Sequence, residues 1–269
     1  MSFSDNDIVF CSVCISMKSP KKPYSEWGKQ FILSVLQNTP HKVSLLTNVV
    51  DYFSEFKNND RVILIDSEDK RIRAEHKDSW VKTFFWMHLK RHAIKHCANN
   101  FANAKYIIYA DCDSFPNESW DSKKFYKFLS KCDFDIAYHH IAHLNYGNWK
   151  KEIEPLSSQI PKSNLSLKSV PQETNLIIKN NEKLKLFLDF WGKIEKRTGS
   201  SKRTHRIGAP IGYSVLFAQM KVQIMPNHDN KIWNNYYTKF WTLHNLGYDC
   251  NFYGKSIFKS GTTPPWKRK

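Results

Sequence analysis

Two aspartates separated by one residue follow an apolar run near the middle of the chain. The run is Tyr106–Ala110, and Asp111 and Asp113 come directly after it. Because successive side chains of a strand point to opposite sides, Asp111 and Asp113 are expected on the same side. Carboxylate oxygens suit Mg²⁺ and Mn²⁺, which often take phosphate oxygens as further ligands. The pair therefore predicts a site for a metal ion and a diphosphate. The alternative is two aspartates that only form a turn or cap at the strand end.

Two further patterns contain residue types that bind metals. His88, His92 and His96 recur at four-residue steps of a predicted helix, which could place two ligands on one metal. This row overlaps the apolar face of the helix, so a structural or solvated row is favoured. Cys11 and Cys14 have the spacing of a zinc or redox pair, but they lie in a strand-like run without a second such pair, which disfavours that use.

Short apolar strands alternate with amphipathic helices along much of the chain. This alternation predicts an α/β fold with a mainly parallel sheet and flanking helices, in which ligands bind beyond the carboxyl ends of the strands. Asp111 and Asp113 lie at such an end. The predicted strands are Ile8–Ser16, Val43–Thr47, Val62–Ile65, Tyr106–Ala110, Phe134–His140 and Thr174–Ile178, and the predicted helices are Glu26–Gln37, Ser79–Ala98, Ser122–Lys131 and Asn181–Glu195.

The predicted helix Ser79–Ala98 is expected to pack on the sheet through one apolar face. Arg91 is the polar interruption of that face. The face consists of Trp80, Phe84, Met87, Arg91 and Ile94.

Length and composition fit a single folded domain. The chain has 269 residues, of which 41% are hydrophobic and 25% charged. These values exclude a disordered tail, a collagen-like fibre and a disulfide-rich miniprotein. The polar start lacks the features of a secretory signal, and no apolar run approaches the roughly 20 residues that span a bilayer. Six scattered cysteines suit reduced thiols. We therefore expect a cytoplasmic protein, in the host cytoplasm if it is viral.

The chain is strongly basic. It has 41 Lys and Arg against 25 Asp and Glu, a net charge of +16, which indicates a negatively charged partner such as nucleic acid, an anionic membrane or a phosphorylated small molecule. Basic side chains in and beside a predicted mobile loop, 196–206, suit contact with the phosphates of a sugar nucleotide or of DNA. A solvated loop without a ligand is the alternative. These basic residues are Lys193, Lys196, Arg197, Lys202, Arg203 and Arg206.

Several segments resemble the GT-A glycosyltransferases, which transfer a sugar from a nucleotide sugar. In that family an N-terminal strand and a helix containing Trp and Lys precede the strand that ends in D-x-D; Ile8–Ser16, Trp80–Lys95 and Tyr106–Asp113 stand in this order here. Pro171–Lys183 resembles the segment that builds the acceptor side. The sequence of 259–266, Lys-Ser-Gly-Thr-Thr-Pro-Pro-Trp, is similar to the H-x-x-G-x-x-K-P-W ending of the related retaining enzymes.

The resemblance implies a GT-A-like, Rossmann-like fold and a nucleotide sugar, in particular a UDP-sugar, as donor. It places Asp111 and Asp113 at Mn²⁺ or Mg²⁺ and at the donor diphosphate, and it adds Ser16 and Lys82 to the donor site. The family likeness also divides the single domain into a nucleotide-sugar-binding half, 1–115, and an acceptor-binding half, 116–269. The second half contains two predicted mobile loops, 145–169 and 196–206, of which the first is interpreted as an active-site loop.

The sequence departs from the family pattern at the third metal ligand. The related ending would supply a histidine where this chain has Phe258 followed by Lys259. The metal site is therefore either incomplete or completed by another residue, for which His228 is the expected ligand and His244 the alternative. The D-Q pair of the family is also not evident around 208–214, so the resemblance implies no acceptor contacts there.

A second catalytic carboxylate is expected at Glu173. An inverting transferase needs a general base near the attacking hydroxyl, whereas a retaining one needs stabilisation of an oxocarbenium-like centre, and Glu173 could serve in either role. A solvent-exposed glutamate at a strand edge is the alternative. His139, His140 and His143 are rival candidates for the base.

The sequence therefore predicts an enzyme, a hexosyl- or pentosyltransferase that transfers a sugar to a hydroxyl acceptor. Its charge slightly favours hydroxymethylated or glycosylated bases in DNA as the acceptor, as in phage-type DNA-modifying enzymes. One alternative is a transferase that builds a surface glycan or lipopolysaccharide at the cytoplasmic leaflet, where peripheral contact with anionic lipid needs the same basic residues. A non-catalytic nucleic-acid-binding protein and a metal nuclease or phosphotransferase are also compatible with the same residues.

Overall fold

Seven strands form one sheet in the computed structural model, which describes residues 3–16, 24–69, 85–112, 116, 120–144, 149–157, 165, 167–198, 208–225, 240–242 and 251–253. The strands are β1 (Ile8–Cys14), β2 (Lys42–Thr47), β3 (Val62–Asp66), β4 (Tyr106–Ala110), β5 (Ile136–Leu144), β6 (Leu167–Lys179) and β7 (Val222–Met225). Their order across the sheet is β3-β2-β1-β4-β6-β5-β7. Only β6 runs antiparallel to its neighbours, and the remaining pairings in this sheet are parallel.

Helices cover both faces of this sheet. They are α1 (Tyr24–Asn38), α2 (Phe85–Asn100), α3 (Ser122–Lys131), α4 (Lys150–Ile153), α5 (Glu182–Thr198) and α6 (Gly208–Phe217), and short 3₁₀ helices span Asp5–Asp7, Val50–Phe56 and Glu154–Leu156. A separate antiparallel pair consists of β8 (Phe240–Thr242) and β9 (Asn251–Tyr253). Among the described residues, no helix has the length and apolar content that crossing a bilayer requires.

Each face of the sheet has its own hydrophobic core. On one face, α1 and α3 contribute Trp27, Phe31, Phe125 and Phe128. On the other face, α2 and α5 contribute Leu89, Ile94, Phe187 and Trp191. Every residue of β4 is buried, because this central strand is covered on both sides. That double coverage explains why its sequence is a continuous apolar run without alternation.

The close packing of α1 on β1 depends on a glycine. A Cβ atom at Gly28 would lie 2.7 Å from the Sγ of Cys14, which is closer than these atoms can approach. Cys14 belongs to the core under α1, whereas Cys11 belongs to the core under α2. The two cysteines therefore lie on opposite faces of β1, an arrangement that does not suit two ligands of one metal. All five described cysteines are free thiols.

The predicted fold class is confirmed, because the sheet is α/β and mainly parallel with helices on both faces. The antiparallel direction of β6 was not predicted.

Two predicted loop boundaries are wrong. The loop 145–169 is too long at its end, because β6 begins at Leu167, and within it Trp149 and Ile153 are buried in a third core with α6. The loop 196–206 begins too early, because α5 continues to Thr198.

A buried aspartate joins the starts of β5, α5 and β7. The Asp135 carboxylate accepts hydrogen bonds from Lys183 Nζ at 2.8 Å, Asn181 Nδ2 at 2.9 Å and the backbone N–H of Lys221 at 2.8 Å. Burial alone would raise the pKa of Asp135. The hydrogen bonds outweigh burial and hold the pKa below its ordinary value of 3.8. The negative charge of Asp135 is thus part of the folded structure.

We expect Asp135→Asn to lower the free energy of unfolding by about 2 kcal/mol at neutral pH, because Lys183 loses its buried counter-charge. A group with a lowered pKa stabilises the fold above its unfolded pKa and loses this effect as pH falls through the folded pKa. Urea denaturation should therefore show the difference from the wild type narrowing below pH 3.8. Asp133→Asn is the matched control, because Asp133 forms an exposed ion pair with Lys221 and should matter little. Equal losses in the two variants would contradict this interpretation.

Candidate active site

The carboxyl ends of β1, β2 and β4 meet at one edge of the sheet because these strands are parallel. Asp111 directly follows β4 at this edge. The antiparallel β6 passes along β4, and its last pairing there joins Asn175 to Ala110. Since β6 begins at Leu167, its earlier residues extend beyond the end of β4 at the same edge. This arrangement places residues from β4 and β6 next to each other where ligands bind in α/β sheets.

Asp111 is fixed by two contacts from residues of the protein interior. Its Oδ1 lies 2.8 Å from the Nζ of Lys90 and accepts a hydrogen bond from the hydroxyl of Tyr109 at 2.9 Å. The Lys90 side chain is 3% exposed, whereas that of Asp111 is 20% exposed. The carboxylate therefore connects a buried cation to the solvent-facing edge of the sheet. Both contacts use Oδ1, which fixes the orientation of the carboxylate group.

Burial of Lys90 requires this partner. An ammonium group that is transferred from water to a protein interior loses several kcal/mol of solvation, and only a well-placed opposite charge compensates for it. The Nζ also lies 5.6 Å from the ring centroid of Tyr109, which adds a cation–π contact. Burial, followed by the nearby Asp111, raises the pKa of Tyr109 well above its usual value, so its hydroxyl stays a hydrogen-bond donor.

The carboxyl ends of β1 and β2 are joined by one side chain. The Oδ1 of Asn48 accepts a hydrogen bond from the backbone N–H of Ser16 at 2.8 Å. The Nδ2 of Asn48 donates to the carbonyl of Ser16 at 3.0 Å. Ser16 was predicted in the donor site, and the structure places it at this same edge of the sheet. The prediction that Ser16 contacts the donor stays a prediction.

The backbone also brings Glu173 to this edge. Glu173 lies in β6, two residues before the Asn175–Ala110 pair and on the side where β4 ends. The rival bases His139, His140 and His143 lie in the neighbouring strand β5, beyond Tyr138, in the direction of the same edge. The backbone therefore places all four candidates on adjacent strands, while the orientation of their side chains lies outside the described part of the structure.

Several predicted site residues fall outside the described residues. They are Lys82, Asp113, Lys202, Arg203, Arg206, His228, His244, Phe258 and Lys259. Among the residues that the structure does describe, no group of three histidine, cysteine or acidic side chains is placed to bind a metal ion. Asp111 still fits a divalent cation, because it offers a hard oxygen ligand at a partly exposed edge of the sheet.

The histidine row of α2 has a structural arrangement in its described part. His92 is buried, and its Nε2 lies 2.7 Å from the Nη2 of Arg91. Since a guanidinium group can only donate, His92 Nε2 acts as the acceptor. Arg91 also forms an ion pair with Glu195 of α5 at 3.2 Å. The interpretation of this row as structural is therefore supported. Arg91, the polar residue predicted on the buried face of α2, joins α2 to α5.

Sequence reasoning missed three residues at the edge. Lys90 was missed although it lies four residues before the buried Ile94, a spacing that places both on one helix face. Asn48 was missed because nothing in its spacing marks it. Asn175 is 1% exposed, and its Oδ1 has no hydrogen-bond partner among the described residues. Asn175 was missed because a single asparagine within an apolar strand gives no sequence pattern that marks it.

Comparison with known proteins gives likenesses of structure alone. No protein-family model and no curated protein matches the sequence. Mouse xyloside xylosyltransferase 1 in its apo form has a similar structure, with a TM-score of 0.44 and 10% identity over 80% of this chain and 84% of that chain. The bifunctional IspDF from Campylobacter jejuni has a TM-score of 0.39 and 10% identity over 83% of this chain. The present chain spans half the length of IspDF.

The ion pair between Lys90 and Asp111 should be measurable by a double-mutant cycle. Asp111→Asn removes the carboxylate that lies 2.8 Å from the buried ammonium group of Lys90, and we expect a loss of about 2–3 kcal/mol in the free energy of unfolding. Lys90→Met should cost less, because the remaining carboxylate can reach water. The double variant should lose less than the sum, with a coupling of about 1–2 kcal/mol in urea denaturation. Additive losses would show that the two side chains do not interact in solution.

Proposed function

We propose that this protein is a glycosyltransferase that moves a sugar from a nucleotide-sugar donor to a hydroxyl acceptor. The observation that supports this proposal is Asp111, which follows the central parallel strand and is oriented there by the buried Lys90. An α/β sheet binds ligands beyond the carboxyl ends of its strands, and a fixed carboxylate at that edge suits a site for a diphosphate with its metal ion. The segment Tyr106–Asp113 resembles the D-x-D segment of the GT-A glycosyltransferases, and this resemblance supports sugar transfer as the reaction.

The proposed metal site consists of Asp111, Asp113 and His228. Asp111 fits because its carboxylate is an oxygen ligand at an exposed edge, and the contacts from Lys90 and Tyr109 leave its position well defined. A bound Mn²⁺ or Mg²⁺ would neutralise negative charge on the departing diphosphate. The role of Lys90 is then to hold the Asp111 carboxylate in place before the donor arrives, so that no reorientation is needed on binding.

The donor is proposed to lie along the edge from β1 to β4. Ser16 and Lys82 are the proposed donor-binding residues, together with Asp111 and Asp113. Asn48 supports Ser16 by holding both backbone polar groups of that residue. A UDP-sugar is the proposed donor, on the basis of the family resemblance. The five free thiols of the described residues fit the proposed cytoplasmic location.

Glu173 is the proposed second catalytic residue. Its position in β6, next to the end of β4, places its backbone beside the strand that carries Asp111. A carboxylate there could accept the proton of the attacking hydroxyl in an inverting reaction, or stabilise positive charge at the sugar in a retaining one. His139, His140 and His143 in β5 are the alternatives for the base.

DNA with hydroxymethylated or glycosylated bases is the proposed acceptor. The basic residues of the C-terminal part of α5, Lys193, Lys196 and Arg197, support a polyanionic acceptor because all three are exposed. An acceptor in a glycan at the cytoplasmic leaflet is the alternative, since anionic lipid attracts the same side chains. A nucleic-acid-binding protein without transferase activity is a further alternative, and it predicts no turnover of any sugar nucleotide.

Hydrolysis of sugar nucleotides tests the enzyme class directly. A panel of UDP-sugars and other sugar nucleotides, assayed with Mn²⁺ or Mg²⁺, should include one that the wild-type protein hydrolyses. Asp111→Asn should lower that turnover by about a hundredfold or more, because the charge that faces the metal diphosphate is removed. Asp60→Asn is the matched control, since Asp60 is exposed in the loop before β3 at the opposite edge. Absence of hydrolysis across the panel would reject the transferase proposal.

Glu173→Gln tests the second catalytic residue once a donor is known. If Glu173 is the general base, the variant should lose about a hundredfold or more in kcat, because glutamine cannot accept the proton. Glu182→Gln, on the exposed first turn of α5, is the control and should keep wild-type turnover. Wild-type turnover in Glu173→Gln, with loss in one of the variants His139→Gln, His140→Gln or His143→Gln, would move the role to that histidine.

A further inference from the structure

A groove lies between α2 and α5 on the face of the sheet that these helices cover. Its volume is about 570 Å³. The groove is lined by charged, amide and apolar side chains from both helices, from the segment after α2 and from the segment before α5. The charged lining residues are Arg91 and Lys95 of α2 and Lys185 and Asp189 of α5. This groove contains none of the proposed donor or metal residues.

The lining of the groove is positively charged. Three cations and one anion face it, which gives a net charge of +2. The anion, Asp189, is paired with Lys193 at 2.6 Å, and Arg91 is paired with the buried Glu195. Lys185 is exposed and has no ion-pair partner among the described residues. Lys95 of α2 lies on one wall of the groove and Lys185 of α5 on the other.

The positive charge continues along the exposed side of α5. Lys185, Asp189, Lys193 and Arg197 recur at four-residue steps along the helix, so three cations and one anion, Asp189, follow one another there. The distance from Lys185 to Arg197 along the helix axis is about 18 Å at 1.5 Å per residue. One strand of duplex DNA presents about five phosphates over that length. The length of the row therefore corresponds to a short stretch of phosphate backbone, and its net charge of +2 is opposite in sign to that of the phosphates.

We propose that the α2–α5 groove, with Lys95 and Lys185 on its walls, binds the phosphate backbone of nucleic acid. A concave groove with cations on two opposite walls suits a narrow charged strand, whereas a flat lipid surface could not reach both walls. The inference deepens the proposed function and rests on it for the identity of the acceptor. Lys95 and Lys185 were not among the basic residues predicted to contact DNA. Lys185 extends the basic surface from the end of α5 to its beginning.

Binding of a fluorophore-labelled DNA duplex, followed by anisotropy over a range of salt concentrations, tests this proposal without any donor. Removal of two phosphate contacts in Lys95→Gln/Lys185→Gln should weaken binding. It should also reduce the slope of log K against log salt by about 1.8. The matched control is Lys123→Gln/Lys127→Gln, which removes the same charge from the exposed side of α3 on the opposite face. The control should keep a slope close to that of the wild type.

Three results would overturn the proposal. An equal reduction of the slope of log K against log salt in the two double variants would mean that DNA binding depends only on the total charge of the protein. Absence of DNA binding by the wild type would reject the groove as a nucleic-acid site. Binding to phosphatidylserine vesicles without binding to DNA would assign the basic surface to a membrane instead. Because these measurements contain no sugar nucleotide, failure of the transferase proposal would show separately, in the hydrolysis assay.

Discussion

Lys90 is an ammonium group in the interior of the protein, and its burial constrains the arrangement around it. Its charge has to be met where α2 crosses the end of β4, and Asp111 meets it from the first position after the strand. A carboxylate must therefore follow directly after β4, and α2 must lie close enough for Lys90 to form an ion pair with it. The same contact fixes the carboxylate that we assign to the donor site, so folding and the proposed chemistry depend on one pair of charges.

The antiparallel strand β6 determines which parts of the chain share the site. If β6 were parallel, its start would lie at the opposite edge and its carboxyl end would face the ligand. Its reversed direction instead brings the segment before Asn175 beside the end of β4. The acceptor-side residues predicted in the second half of the chain thereby come next to Asp111, which belongs to the first half. The amide of Asn175, buried at this junction, belongs to the same arrangement.

The sequence predicted the elements best where burial follows a simple pattern. β4 was recognised because a short, continuous apolar run is typical of a strand buried on both faces, and α1 because Trp27, Phe31 and Val35 follow one face. α6 was not predicted because almost all of its residues are buried, so it has no polar face to reveal a helical period. The direction of β6 could not be predicted because apolar content does not encode strand direction.

The site was predictable only in its charged residues. Asp111 was predicted as a site residue because paired aspartates at a strand end have a known chemistry, and its ion-pair partner Lys90 was overlooked because a lysine in a helix is usually solvated. Arg91, one residue further on, was instead placed on the buried face. In the structure the Arg91 side chain is 14% exposed and joined to Glu195, whereas Lys90, at 3%, is the more deeply buried cation. Which of two adjacent cations is buried depends on the exact rotation of the helix on the sheet, which periodicity determines only coarsely.

The position of β6 between β4 and β5 also has a consequence for how the chain folds. β1 to β4 come from the first half of the sequence, yet β4 obtains its second neighbour only from residues after 166. Until that segment has been synthesised, β4 is an exposed, wholly apolar edge strand whose backbone groups are unpaired on one side. Such a strand can pair with other chains. During synthesis the first half therefore depends on the second for protection against aggregation, and a chain that stops before β6 would retain this edge permanently.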